Sequence, residues 1–279
     1  VYKRQLLPAP FLSLLIDDCI VTGKDYNSGG ARYNTSYIKG VGLGTITDCL
    51  SAVKWHVYDK RTFTFEELAA ALDADFEGSG DLLKKLLDET PKYGNDEDYA
   101  DMLAVRVFES YFRAIDGRPN TKGGHFRINL LPTTCHVYFG SVTGALPDGR
   151  KAGEPLSEGI SPVQGADRKG PTAVLRSASR IDHLRTGGTL LNQKFTPGVL
   201  EDEEGITKVA DLVRSYFRMD GHHIQFNVVN ADTLRKAQKT PGKYRDLIVR
   251  VAGYSDYFVD LGVDLQNEII KRTEHGLDT

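Results

Sequence analysis

Residues 249–258, Val-Arg-Val-Ala-Gly-Tyr-Ser-Asp-Tyr-Phe, set one glycine between a short β-type run and a group of aromatics. Ile248, Val249 and Val251 lead into Gly253; Tyr254, Tyr257 and Phe258 follow it. Glycines in surface turns normally sit among Asn, Asp, Ser or Lys, so apolar residues on both sides create the expectation of a buried glycine. The plain structural alternative is a bulge or a close backbone approach at a strand end. The chemistry open to such a glycine is loss of one Cα hydrogen atom. The radical left behind is stabilised by the amide nitrogen on one side and the carbonyl on the other. That sharing needs a planar Cα, which a side chain would crowd, and glycine alone has none. Apolar neighbours such as Val251, Tyr254 and Phe258 suit a radical that must be kept from oxygen and water.

A second region, 147–197, is dense in turn formers. It holds Pro147-Asp148-Gly149-Arg150, Gly159-Ile160-Ser161-Pro162, Gly170-Pro171-Thr172-Ala173 and Asn192-Gln193-Lys194-Phe195-Thr196-Pro197. Eight glycines and five prolines fall between 147 and 198, with one amphipathic stretch, 173–181. A linker or surface loop is the simplest reading. Loops this long are uncommon in a compact domain unless functional or disordered, and Ile160, Val163, Val174, Leu190, Leu191 and Phe195 argue against disorder.

Both regions resemble the glycyl radical enzymes. The signature of that family is Arg-Val-(small)-Gly-(Tyr/Phe)-x-x-x-Phe, and Arg250, Val251, Ala252, Gly253, Tyr254 and Phe258 fall on it. The 147–197 segment looks like the one that opens the glycine radical domain, and the resemblance runs over essentially the whole chain. Asn192 to Phe195 places it nearer the dehydratase and eliminase branch than pyruvate formate-lyase, and residues 254–258 lean toward a hydroxyproline-type dehydratase. The resemblance implies Gly253 as the radical-bearing residue and Arg250, Tyr254 and Phe258 as supports of its loop. It also implies Phe195 and Thr196 as candidates for the substrate pocket.

The chain has 279 residues, is 40% hydrophobic and carries a net charge of −3, which suits an ordinary globular protein with a substantial core. It is not basic enough to suggest nucleic acid, and no apolar run approaches the ~20 residues of a membrane span. The proline-broken run 6–16 lacks a signal-peptide cleavage pattern. Three cysteines, Cys19, Cys49 and Cys135, without paired spacing, indicate reduced thiols and a cytoplasmic setting.

Periodicity predicts helices over 11–22, from Thr45 or Thr47 to 58, and over 64–75, 81–90, 96–115, 206–218, 231–238, 241–247 and 261–273. Thr64 and Glu67 form a capping box. Strands are expected at 125–130, 136–140 and 222–229. In the last, Ile224, Phe226 and Val228 share one face and His223, Gln225 and Asn227 the other. Gly40-x-Gly42-x-Gly44 lacks dinucleotide spacing or a following Lys-Ser/Thr, so loop packing accounts for it better than a phosphate site. His222 and His223 point to opposite faces of a strand and cannot share a metal. Asp17-Asp18 and the acidic residues at 201–204 read as solvated charge.

The resemblance implies an α/β fold, the C-terminal part of a ten-stranded β/α barrel with the glycine loop inserted in it. Residues 1–146 would then belong to the barrel and 147–279 to the glycine radical domain. A separate iron–sulfur, S-adenosylmethionine-dependent activase would install the radical, with no metal bound in this chain. The family passes the radical to a cysteine in a Cys-x-Glu motif. Cys19, Cys49 and Cys135 are each followed by other residues. The expectation is therefore a C-terminal portion of a longer, homodimeric enzyme, inactive alone, whose whole cleaves C–O, C–N or C–S bonds of a small polar metabolite. Alternatives are formate acetyltransferase-type C–C cleavage, a spare-part protein that restores an oxygen-damaged partner, and a binding module without radical chemistry.

Overall fold

Local sequence explains most of the helices that build the first half of the chain. A computed structural model describes residues 7–272 and 274–276. Helix α1 (Pro10–Leu15) and the single turn α2 (Cys19–Thr22) replace the one helix expected over 11–22, because Asp18 takes a left-handed conformation (φ 71°) between them. After β1 (Thr35–Lys39), helix α3 (Leu43–Ala52) runs directly into a π-helical segment, Val53–Asp59. Thr64 and Glu67 complete their reciprocal capping box at the start of α4 (Phe65–Asp73). Helices α5 (Gly80–Asp88) and α6 (Asp98–Ile115) follow, and α3 packs along α6. Strand β2 (His125–Asn129) pairs with β1 in parallel, Thr35 opposite His125 through Lys39 opposite Asn129.

Residues 136–140 are not a strand. They lie in helix α7 (Cys135–Ser141), whose buried residues are His136 and Gly140. That i, i+4 pair is the inner face of one helical turn, and a short apolar run cannot separate the two conformations by pattern alone. Beyond it, the glycine-rich segment is neither linker nor free loop. Arg150 donates to the carbonyls of Gly140, Thr143, Gly144 and Lys151, and Lys92 Nζ reaches the Asp148 carbonyl at 2.7 Å. Thr45 and Ser157 exchange backbone-to-hydroxyl bonds of 2.9 and 2.8 Å. The Gly40–Gly44 turn is therefore closed by packing, with Gly44 against Ser161.

Helix α8 (Gly170–Ser179) begins earlier than expected, with Pro171 in its first turn, a position that costs it no hydrogen bond. Strand β3 (Asn192–Phe195) is followed by α9 (Glu203–Arg218), β4 (Gln225–Val228) and α10 (Ala231–Lys239). The helix expected over 241–247 shrinks to one 3₁₀ turn, Pro241–Lys243. Strands β5 (Ile248–Arg250) and β6 (Ser255–Tyr257) form an antiparallel hairpin; α11 (Val263–Lys271) and β7 (Glu274–His275) close the described chain. The last residue of the helix expected over 261–273 lies outside the described residues.

The fold is mixed α/β. Among the described residues the strands form three small sheets: β1–β2, the parallel trio β4–β3–β7, and the β5–β6 hairpin. One core joins Phe108, Ile128, Ile160, Leu191 and Tyr216; another joins Leu190, Val249, Val251, Leu234, Phe258 and Ile269 beneath the hairpin. Phe258 is the anchor of that second core, with no exposed surface. Phe258→Ala is expected to cost about 3–5 kcal/mol, read as a lowered urea midpoint. Tyr257→Ala, on a side chain 45% exposed, should stay within about 0.5 kcal/mol.

Candidate functional site

The hairpin brings Gly253 to its tip. Ile248 pairs with Tyr257, Val249 with Asp256 and Arg250 with Ser255, and the Val251 amide donates to the Tyr254 carbonyl at 2.8 Å. Gly253 has φ +79° while Ala252 keeps the usual sign, so the tip wants glycine at the one position where its backbone turns left-handed. A Cβ there would meet only Leu190 Cδ1, at 3.9 Å. The requirement for glycine is therefore conformational rather than one of space.

Among the described residues nothing covers Gly253, which is exposed in this chain. Val249, Val251, Ala252 and Phe258 turn inward onto Leu190, and the tip projects past them with Tyr254 and Tyr257 partly in solvent. These apolar neighbours bury their own side chains rather than the Gly253 backbone.

The underside of the tip is saturated with polar contacts. Gln225 Oε1 accepts from the Gly253 amide at 3.1 Å and from Arg250 Nε at 3.0 Å. Asn227 makes a reciprocal pair with the Arg250 backbone, 2.7 Å each way. Arg272 donates to the Val251 carbonyl through both terminal nitrogens at 3.2 Å and is bound by Glu268 at 3.0 and 2.8 Å. Burial alone would push the Glu268 carboxyl up. The Arg272 charge, with His136 3.5 Å away, outweighs it and holds Glu268 well below the usual carboxylate range. Asn192 lies between Gln225 and Glu158 and hydrogen-bonds both. Ser161 Oγ donates to Glu158 at 2.6 Å and accepts from the Asn192 amide at 3.0 Å.

Of the residues singled out from the sequence, Arg250, Tyr254 and Phe258 share the hairpin with Gly253. Arg250 also reaches Ser255 Oγ at 3.3 Å, tying the two strands. Phe195 is in the core, its ring between those of Phe226 and His275, at centroid distances of 5.4 and 6.1 Å. Thr196 is half-buried on the rim of a cavity of about 380 Å³ shared with Val199, Asp202 and Lys208. Cys19 and Cys49 are buried free thiols and Cys135 is half-buried; burial pushes the Cys49 thiol far up. Among the described residues, no group of three or more His, Cys, Asp or Glu side chains is placed to hold a metal ion.

Sequence reasoning missed Glu158, Asn192, Gln225, Glu268 and Arg272 as parts of this site. A signal existed in β4, where Gln225 and Asn227 alternate with Phe226 and Val228. The structure turns the polar face inward and leaves Val228 exposed. A second signal is Asn-Gln-Lys-Phe in β3, a parallel central strand buried along its length where apolar residues are the norm. Lys194 in that strand caps α11, its Nζ 3.0 Å from the Ile270 carbonyl, and burial lowers its pKa against the pull of Glu274.

Comparison with known proteins bears on this geometry directly. Residues 1–140 match the family described as pyruvate formate lyase-like, and residues 156–259, which contain Gly253, match the glycine radical family. The chain belongs to the glycyl radical enzymes. It is 56% identical over 268 residues to trans-4-hydroxy-L-proline dehydratase of Clostridioides difficile, covering 96% of this chain and 34% of that protein. It is 38% identical over 277 residues to (2S)-3-sulfopropanediol dehydratase of Klebsiella oxytoca, covering 97% and 34%. The crystal structure of hydroxyproline dehydratase from Clostridioides difficile, with trans-4-hydroxy-L-proline bound, superposes with a TM-score of 0.95 at 55% identity, over 98% of this chain and 35% of the other. The glycerol-bound B12-independent glycerol dehydratase of Clostridium butyricum gives 0.93 at 47%, with the same coverage of 98% and 35%. The chain thus spans about a third of the length of these relatives.

The Glu268–Arg272 pair sets a stability prediction for this family member. Arg272→Met leaves Glu268 buried without its cation and should cost about 3–5 kcal/mol; combining it with Glu268→Gln should cost less than Arg272→Met alone. Glu268 has a folded pKa below its unfolded value near 4.5. Its contribution is full above that value and is lost as pH falls through the folded pKa. Urea titrations from pH 7 to 3 should therefore show the stability gap between wild type and the double variant shrinking below about pH 4.5.

Proposed function

We propose that Gly253 stores an organic radical in an enzyme that, once activated, eliminates a hydroxyl, amine or sulfonate group from a small polar metabolite. The observation that carries this reading is the Gly253 tip itself. A glycine demanded by φ, with an open Cα, sits on a backbone held from beneath by Gln225 and Arg272. Loss of its Cα hydrogen needs no side chain to move. Of the two peptide planes that would share the unpaired electron, Ala252–Gly253 is already held through the Gly253 N–H.

The activating partner in this reading is an iron–sulfur, S-adenosylmethionine-dependent enzyme that removes the Gly253 hydrogen. The cysteine that takes the radical to substrate lies outside this chain, in a Cys-x-Glu motif. Similarity to the hydroxyproline dehydratase supports a substrate of that kind, a small hydroxylated amino acid. Residues 1–146 then form the last part of a β/α barrel and 147–279 the glycine radical domain, a division supported by matches that end at 140 and resume at 156. The barrel-side match also favours an enzyme portion over a spare part that carries the radical domain alone.

A glycyl radical that meets oxygen breaks the backbone at its own position. After anaerobic incubation with the matching activating enzyme and S-adenosylmethionine, then air, intact mass should show loss of residues 254–279. Gly253→Ala should prevent the break while folding, since alanine at that φ costs roughly 1–2 kcal/mol. The same fragment from Gly253→Ala, or a break at another residue in the activated wild type, would sink the assignment.

A further inference from the structure

Three side chains beneath the tip line up in one direction. The Gly253 N–H donates to Gln225 Oε1. Gln225 Nε2 donates to Asn192 Oδ1, and Asn192 Nδ2 donates to Glu158 Oε1. We propose that Gln225, Asn192 and Glu158 are positioning residues that form a polarised relay, drawing on the Gly253 N–H and strengthening electron donation from its nitrogen. Its consequence for a radical rests on Gly253 carrying one.

The direction of the relay follows from chemistry rather than from choice of amide orientation. A backbone N–H and an arginine Nε–H can only donate, and Gly253 and Arg250 both point at the same atom of Gln225. That atom must be the carbonyl oxygen. The Gln225 amino group then faces Asn192, which must accept with its oxygen, so the Asn192 amino group faces Glu158. The second hydrogens of both amino groups have an outlet on the Val251 carbonyl, at 3.4 and 3.5 Å. Glu158, Asn192 and Gln225 are all buried, where aligned hydrogen bonds reinforce one another by about 10–30% each. A mechanical prop for the tip would need one acceptor under Gly253. It would not need a buried carboxyl two amides further on.

Glu158 sits among charges. Arg272, His136 and Glu268 act on it, and Lys194, Asp167 and His275 line the same cavity of about 30 Å³. Burial raises the Glu158 pKa, and Arg272 and His136 oppose that. The carboxyl therefore ionises above its ordinary range, and the pull on the Gly253 N–H grows as it does.

Labelling with ¹⁵N-glycine and carbonyl-¹³C-alanine isolates two amides in this sequence, Gly153 and Gly253, the two glycines preceded by alanine. In the wild-type chain the Gly253 amide proton should move downfield as pH rises through Glu158 ionisation, with Gly153 as the internal reference. In Glu158→Gln the signal should lie upfield and lose that titration, although His136 is still present. Asn192→Leu, which keeps the volume and cuts the relay, should do the same. A flat wild-type signal, or a titration that persists in Glu158→Gln, overturns the relay. In activated protein, weaker donation concentrates spin on Cα, so the α-hydrogen splitting in the electron paramagnetic resonance spectrum should widen in Glu158→Gln. An unchanged splitting overturns the radical consequence. A wild type that takes up no radical at Gly253 instead sinks the reading of Gly253, while the amide shifts still decide the relay.

Discussion

The Val251 carbonyl is the acceptor on which the geometry of the tip depends. It lies two residues before Gly253 and takes both terminal nitrogens of Arg272. Arg272 can be buried there only because Glu268, one turn earlier in the chain, neutralises it. The end of α11 is fixed in turn by Lys194 from β3, which occupies the last carbonyls of the helix. Helix end, central strand and hairpin thus meet around one oxygen. A buried ion pair is a poor source of net stability. Here it supplies direction: a fork of donors aimed at a backbone atom that no apolar side chain could hold.

The strands beneath the tip reverse the usual rule for burial. In β4 the inward residues are Gln225 and Asn227, and in β3 Asn192, Gln193 and Lys194 are all buried. Unpartnered, each of these groups would be costly. The hydrogen bonds of Gln225, Asn227, Asn192 and Lys194 instead go to the hairpin backbone, to Glu158 and to α11, while Gln193 Nε2 donates to the Pro171 carbonyl at 3.4 Å. The apolar core under the hairpin, built on Leu190, Val249 and Phe258, holds the strands, while the polar layer orients their turn. Packing sets where the hairpin lies; the polar layer sets how the peptide planes at Val251 and Gly253 are turned.

What could be read from the sequence was what depends on neighbours in the chain. The capping box at Thr64, the long helix ending at Ile115 and the glycine signature each rest on local spacing. Alternation in β4 showed which residues share a face but not which face goes inside, since the hairpin that pairs with Gln225 lies some 25 residues further on. For the same reason Glu158 and Arg272, separated by over a hundred positions, gave no joint signal. Residues 136–140 misled because a five-residue apolar run fits a strand and a helical turn equally well.

Within this chain the Gly253 tip is gripped from one side, through its backbone. A radical spread over adjacent peptide groups needs those groups held near a common plane, and a hairpin tip anchored only by its strands would not hold them. Gln225 takes the amide of Gly253 and so holds the Ala252–Gly253 plane, while Arg272 takes the carbonyl of Val251, one peptide group earlier. The polar interior of β3 and β4 is the physical counterpart of that grip: the backbone groups of a turn can be oriented only by partners that hydrogen-bond, and the strands beneath the hairpin are where those partners lie.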